Sequence, residues 1–216
     1  MTTVFIARRG AERTRASQAQ LEASRELKVL GVADTLHRAK AALAGLDPDT
    51  LLIDLRLEDG AALSLVRGLR ERQVERPKVM LVAADAADPL LFATLRAGAD
   101  AYLLEADLAT AASALRRLTA GEATMAAAVA AQVLPYFNQP IAAPKTTAPV
   151  SDRGLDWHSH CANPMRLSPG ECRLLQYLAQ GARASEVATR MAISVEALGR
   201  RIGNVYRKLS WDVRSG

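Results

Sequence analysis

Five side chains near the end of the chain have the types that bind nucleic acids. They lie on one stretch of predicted helix and are Arg200, Arg201, Asn204, Arg207 and Lys208. Apolar residues recur between them at spacings of four, three and four, which indicates the buried face of an amphipathic helix: Leu198, Ile202, Val205 and Leu209. Arginine and asparagine can form paired hydrogen bonds with base edges, whereas Lys208 is expected to contact phosphate. The alternative is a basic helix face that contacts only solvent.

The charge distribution supports a polyanionic partner for this end of the chain. The 216 residues carry a net charge of +5, and residues 1–137 hold 17 basic and 17 acidic side chains. The whole positive excess therefore belongs to residues 138–216, which favours contact with a polyanion such as double-stranded DNA. A basic surface that only maintains solubility is the alternative.

Other chemistry is sparse. Residues 156–161 bring together His158, His160 and Cys161, whose imidazole and thiolate groups suit a transition metal. Their spacing matches no established zinc pattern and they lie in a predicted linker, so we expect no metal. No nucleophile–base pair is evident, so we predict no enzyme and no cofactor. Two cysteines, no leader-like start and no apolar run of ~18–20 residues indicate a cytoplasmic protein without membrane contact.

Short apolar runs alternate with amphipathic stretches over the first 120 residues. Five runs predict strands, most of them apolar on both faces as in a covered parallel sheet: 4–7, 27–32, 50–53, 79–82 and 101–104. Five helical patterns separate or follow them: Ala11–Ala23, Thr35–Ala44, Ala61–Arg72, Pro89–Ala97 and Ala109–Ala120. This alternation predicts a doubly wound α/β fold with a five-stranded parallel sheet.

The remaining residues predict a connection and a small all-α domain. One more helix is expected over 124–134, ending before Pro135, and four prolines in 138–166 indicate a linker. Ser168-Pro169-Gly170-Glu171 has the residues of a capping box and begins a helix that ends at Gly181. Two further helices are predicted over 185–191 and 195–209, the last capped by Ser194. Three short helices with tight turns indicate a helix-turn-helix module.

These motifs resemble response regulators of the LuxR/NarL class in both halves. Leu52-Ile53-Asp54, Arg96-Ala97-Gly98-Ala99 and Tyr102-Leu103-Leu104 are similar to motifs of a receiver domain. The tail resembles the class's DNA-binding domain in the following segments: 167–171, 174–175, 178–181, 186–188, 193–194 and 207–209. The resemblance implies boundaries at 1–122 for a receiver-like domain, 123–166 for the extra helix and linker, and 167–216 for the DNA-binding domain.

The sequence departs from the receiver pattern at the residues of the phosphorylation site. The resemblance implies that Asp54 stands at the phosphoacceptor position, whereas Arg8 and Arg9 replace the acidic pair that binds Mg²⁺. It also implies that Ala83 replaces a phosphate-bonding hydroxyl and Glu105 a lysine. Each unfavourable charge contact is worth about 1–4 kcal/mol at a few ångströms. We therefore predict a pseudo-receiver that accepts no phosphoryl group.

Asp54 then needs another role. We expect a fixed ion pair with Arg8 or Arg9, and the alternative is an unpartnered carboxylate at a solvated sheet edge. Tyr102 stands at the position of the class's switch aromatic. Because Ala83 has no hydroxyl that could bond a phosphoryl group, the inward movement that Tyr102 would accompany has no trigger. An equal interpretation is that Tyr102 is a packing aromatic on a dimer-facing side.

For the tail, the resemblance implies that the third helix enters the major groove. It places Arg183, Ser185 and Ser194 where helix starts and turns meet phosphates. Gly199 replaces a usual lysine and Arg201 a frequent histidine, and Gly199 and Gly203 each destabilise the helix by about 1 kcal/mol. The resemblance implies a fourth helix, which pairs two DNA-binding domains, where this sequence stops. Either the sequence is cut there or the dimer contacts come from the N-terminal part, and we expect a homodimer formed through the receiver-like domain.

Together these features predict an atypical response regulator of a two-component type. It would regulate transcription by binding DNA without phosphorylation, with the tail module permanently free and with control through protein level, a regulatory partner protein or a ligand. A rival hypothesis is an adaptor whose receiver-like domain docks a partner and whose tail has no remaining affinity for DNA.

Overall fold

A computed structural model describes residues 1–72, 76–138 and 166–211. The main sheet contains five parallel strands, β1 (Thr2–Ala7), β2 (Leu27–Ala33), β3 (Thr50–Asp54), β6 (Lys78–Ala83) and β7 (Ala101–Leu104). Their order across the sheet is β2-β1-β3-β6-β7. A small antiparallel pair lies beside it, formed by β4 (Arg56–Leu57) and β5 (Gly60–Ala61), and the sequence patterns did not predict this pair.

The central strands of the sheet are buried on both faces, which explains their unbroken apolar runs, whereas the edge strand β2 has exposed residues. Residues 4–7 of β1 and 51–53 of β3 have no exposed surface. Five helices cover the sheet: α1 (Ala11–Glu22), α2 (Leu36–Leu43), α3 (Ala62–Glu71), α4 (Pro89–Arg96) and α5 (Ala111–Thr119). This confirms the predicted doubly wound α/β fold. A 3₁₀ helix, Glu105–Thr110, precedes α5, so the fifth predicted helix is shorter than its apolar pattern indicated.

The tail contains the three predicted helices, α7 (Pro169–Ala179), α8 (Ala184–Arg190) and α9 (Val195–Trp211). Both predicted N-caps are present. The Glu171 amide donates to the Ser168 hydroxyl while the Ser168 amide donates to Glu171 Oε2 at 2.6 Å, which completes the capping box. The Ala197 amide donates to Ser194 Oγ at 3.1 Å at the start of α9. No helix within the described ranges is long and apolar enough to span a membrane.

The extra helix, α6 (Ala127–Asn138), differs from its prediction because it continues through Pro135. Proline removes one helical hydrogen bond, so the sequence predicted an end before it. Packing outweighs that cost. The helix lies along α7, and its Tyr136 ring stands 6.0 Å from that of Phe92 and 5.4 Å from that of Phe137. The Arg96 guanidinium lies 4.5 Å from the centre of the Tyr136 ring. The predicted linker and the His/Cys cluster at 156–161 lie outside the described residues.

Candidate functional site

Asp54 lies at the carboxyl end of β3, next to the residue that follows β1. Because parallel neighbouring strands end at the same edge of a sheet, Arg8 and Asp54 meet there. Arg8 Nε donates to Asp54 Oδ1 at 2.9 Å, and the two side chains are only 3 % and 8 % exposed. Of the two expected partners, Arg8 supplies the ion pair. Arg9 instead has an exposed side chain and donates its backbone amide to Asp54 Oδ2 at 2.8 Å.

The remaining nitrogens of the Arg8 guanidinium are also occupied. Nη2 donates to both carboxylate oxygens of Glu105 at 2.7 and 2.8 Å, and Nη1 donates to the Ser17 hydroxyl at 2.9 Å. Glu105, which replaces the lysine of the receiver pattern, therefore binds the Arg8 cation. Burial raises the pKa of the Asp54 carboxyl, and the Arg9 amide and Arg8 guanidinium oppose that shift. One buried cation thus joins the carboxylate of Asp54, at the end of β3, to that of Glu105, at the start of the 3₁₀ helix.

This arrangement does not fit Mg²⁺, which the resemblance to receiver domains would imply. A small divalent cation needs several oxygen ligands around it. Here a guanidinium contacts the Asp54 carboxylate, and a cation placed beside it would be repelled. Within the described ranges, no group of three or more histidine, cysteine or acidic side chains could hold a metal ion.

Two further positions that the resemblance to receiver domains singled out are Ala83 and Tyr102. Ala83 is buried at the end of β6. Tyr102 is 5 % exposed, and its hydroxyl oxygen accepts a hydrogen bond from the Ala126 amide at 2.7 Å. Burial raises the pKa of Tyr102 to about 12. Tyr102 therefore connects β7 to the segment between α5 and α6.

The predicted DNA-contacting residues divide into three groups by their surroundings. Arg183, Ser185 and Ser194 are exposed at the starts of α8 and α9. Arg200 and Arg207 are exposed on α9, whereas Arg201 and Asn204 are half-buried, and Arg207 donates to the Asn204 side-chain oxygen. The buried face of α9 consists of the four predicted residues together with one that the pattern missed: Leu198, Ile202, Val205, Leu209 and Tyr206.

Lys208 differs from its prediction as a phosphate contact. Its ammonium group donates to Glu171 Oε2 at 2.6 Å and to the Arg166 carbonyl at 3.1 Å, so it belongs to the packing of α9 against α7. Burial alone would raise the pKa of Glu171, but Lys208 and the Ser168 amide hold that pKa below its ordinary value. Lys208 and Glu171 are 37 positions apart, which is why helix periodicity alone assigned the lysine to the solvent side.

The helix α9 is not free, which corrects the prediction of a permanently available tail module. We name residues 121–124, between α5 and α6, the docking segment. The Ala123 amide donates to the Gly199 carbonyl at 3.0 Å, and the Tyr206 hydroxyl donates to the Thr124 carbonyl at 2.9 Å. Arg200 Nη1 lies 4.0 Å from Glu122 Oε1. Helix α9 also packs beside α4.

The two glycines of α9 permit this close approach. A Cβ atom at residue 203 would lie 2.6 Å from the Gly121 carbonyl oxygen, closer than real Cβ contacts. A Cβ atom at residue 199 would lie 3.1 Å from the Cβ of Glu122. Residues 199, 203 and 206 share one helix face at spacings of four and three. Glycines that the sequence marked only as unfavourable for a helix are therefore the contact surface for the docking segment.

Comparisons with known proteins agree with the two-part architecture. No protein-family model matches the chain. It is 24% identical over 196 residues to the transcriptional regulatory protein LiaR of Bacillus subtilis, covering 90% of this chain and 84% of that protein. A nitrate/nitrite response regulator homolog of Haemophilus influenzae is 25% identical over 164 residues, covering 76% of this chain and 68% of that protein.

A solved structure has the same fold over nearly the whole chain. RcsB of Salmonella enterica serovar Typhimurium, bound to the promoter rprA with the phosphomimetic BeF3-, matches with a TM-score of 0.53 at 18% identity, covering 97% of this chain and 98% of that chain. The resemblance predicted from the sequence is thereby confirmed. The relatives of this chain are response regulators of the LuxR/NarL class, with a receiver domain and a helix-turn-helix domain.

Proposed function

We propose that this protein is a transcriptional regulator that binds double-stranded DNA through α9 and acts without phosphorylation of Asp54. Residues 138–216, which include the three-helix tail, carry the whole positive excess of the sequence, and Arg200 and Arg207 are exposed on the last helix of that tail. The RcsB relative is bound to a promoter, which supports the same role for this tail. The functional units in this proposal are a pseudo-receiver at 1–122, a connection at 123–166 and a DNA-binding domain at 167–216.

The observation that carries phosphorylation independence is the ion pair between Arg8 Nε and Asp54 Oδ1 at 2.9 Å. A phosphoryl group would have to displace a buried guanidinium that also binds Glu105, without help from a divalent cation. The test is incubation with acetyl phosphate and Mg²⁺ followed by intact mass measurement. We expect no adduct, and a stoichiometric phospho-adduct on Asp54 would refute this part of the proposal.

DNA binding is tested by fluorescence anisotropy with duplex DNA at several salt concentrations. Removal of one arginine that binds a phosphate should reduce the slope of log K against log salt by about one. We expect a steep fall in affinity with salt, and a smaller slope for Arg200→Ala. Placement in the cytoplasm and a homodimer formed through the receiver-like domain complete the proposal, and sedimentation of the full chain tests the dimer.

A protein-interaction adaptor is the second candidate. The docking of α9 on residues 121–124 favours it, because a helix held against its own chain is less available to DNA. The adaptor hypothesis predicts weak binding to DNA at every salt concentration. Wild-type binding that is weak at low salt and remains weak after the docking segment is released would favour the adaptor.

A further inference from the structure

A basic cleft lies between α9 and the turn after α5. Its volume is about 450 Å³. One wall consists of Ala120 and Gly121, and the other of side chains from α9: Ala197, Arg200, Arg201, Asn204 and Arg207. The cleft exists only while the docking segment contacts α9, because its two walls belong to different parts of the chain.

The charges in this cleft are unbalanced. Arg200, Arg201 and Arg207 line it, and two carboxylates lie near them among the described residues: Glu122, 4.0 Å from Arg200, and Glu196, which interacts electrostatically with Arg117 and Arg200. Glu122 is shared with Arg117, whose Nε donates to Glu122 Oε2 at 3.1 Å. Arg207 bonds only to the neutral Asn204 oxygen among the described residues. Four arginines, including Arg117, thus outnumber the two carboxylates, and the net positive charge of the cleft will attract an anion.

The chemistry of the lining specifies the anion. Guanidinium groups bind phosphate through two parallel hydrogen bonds each, and several of them favour a ligand with several phosphates. The Asn204 amide adds a donor and an acceptor for a sugar or base. A volume near 450 Å³ falls within the ~300–1,000 Å³ range of small-molecule sites.

We propose that this cleft binds a small molecule with adjacent phosphate groups, such as a nucleoside triphosphate, and that the ligand stabilises the docked arrangement. The arginines that face DNA in the released form would then face the ligand in the docked form. The proposal goes beyond the proposed function, since ligand binding requires only the docked chain and is measured without DNA.

The test is isothermal titration calorimetry of the full chain with inorganic triphosphate, using sulfate at equal ionic strength as the comparison. We expect one saturable site with a Kd of about 100 μM or below, and binding of sulfate at least ~10-fold weaker. Arg207→Ala should weaken triphosphate binding by about 10-fold. Absence of binding tighter than ~1 mM would overturn the proposal.

The Gly203→Ala variant tests whether binding requires both walls of the cleft or only the arginines of α9. It leaves every arginine in place but inserts a Cβ atom 2.6 Å from the Gly121 carbonyl oxygen, which displaces the opposite wall. We expect at least ~10-fold weaker binding of triphosphate, because half of the cleft is removed. Gly68→Ala is the matched control, since no atom lies within 4 Å of its added Cβ and Gly68 is also helical. Equal binding by Gly203→Ala and Gly68→Ala would show that the arginines act alone, and the cleft proposal would be wrong.

Discussion

Replacing Gly203 by alanine should release α9 and increase its affinity for DNA. The added Cβ would lie 2.6 Å from the Gly121 carbonyl oxygen, whereas ordinary contacts begin at 3.4 Å, so the two segments must separate by about 0.8 Å. Such a shift breaks the hydrogen bonds from the Ala123 amide and the Tyr206 hydroxyl. At about 1 kcal/mol each, their removal shifts the docking equilibrium by about 30-fold.

Helix propensity does not oppose this effect. Alanine in place of glycine stabilises α9 by about 1 kcal/mol in the docked and the released forms alike. Gly68→Ala gives the same stabilisation in α3 without any contact and is again the control. Fluorescence anisotropy with one duplex at fixed salt should show Gly203→Ala binding more tightly than Gly68→Ala, by up to about 30-fold.

Hydrogen–deuterium exchange at the Ala123 amide reports docking independently of DNA. Its N–H donates to the Gly199 carbonyl, so release of α9 should accelerate its exchange. Faster exchange with unchanged DNA affinity would show that docking does not limit binding. Unchanged exchange would show that the contact between the docking segment and α9 does not form in solution, and the reasoning would fail at its first step.

Three further predictions concern the buried ion pairs. Arg8→Ala should reduce the free energy of unfolding, measured by urea denaturation, by about 3–5 kcal/mol, because Asp54 and Glu105 lose the cation that they share. Arg13→Ala, whose side chain is 60 % exposed, should change it by less than ~0.5 kcal/mol. Lys208→Met should lower the thermal stability of the tail yet leave the salt slope of DNA binding nearly unchanged, in contrast to Arg200→Ala. The lowered pKa of Glu171 stabilises the fold above its unfolded value of ~4.3, so the stability difference between wild type and Glu171→Gln should shrink as the pH falls below that value in urea titrations.

The sheet could be predicted from the sequence because most of its strands are apolar on both faces, as in a covered parallel sheet; only the edge strand β2 carries exposed residues, Lys28 and Val32. The capping residues of the tail were equally predictable, since Ser168 and Glu171 are three positions apart and interact locally. The extended α6 was not, because the packing that retains Pro135 within it involves α4 and α7, far away in sequence.

Within the candidate site, the sequence did not determine which of two adjacent arginines pairs with Asp54, because the answer depends on contacts between residues far apart in sequence. Arg8 and Arg9 are adjacent, and only the geometry at the end of β1 assigns the ion pair to Arg8 and a backbone contact to Arg9. Gly199 and Gly203 did carry a signal. Two glycines on one face of a helix weaken it by about 2 kcal/mol in total, and such a sequence is expected where another backbone must approach closely.

The polar contacts that hold α9 in the docked arrangement are comparable in free energy with the binding of a small ligand. Its hydrogen bonds, from the Ala123 amide and the Tyr206 hydroxyl, contribute about 2 kcal/mol, and the exposed Arg200–Glu122 contact at 4.0 Å adds under ~1 kcal/mol. A phosphate ligand that binds only the docked form, present at about 100 times its Kd, stabilises that form by about 2.7 kcal/mol. The two quantities are of the same size. In the proposed function, in which Asp54 is not phosphorylated, the equilibrium between docked and DNA-bound α9 provides the regulation, and the proposed ligand shifts it toward the docked form.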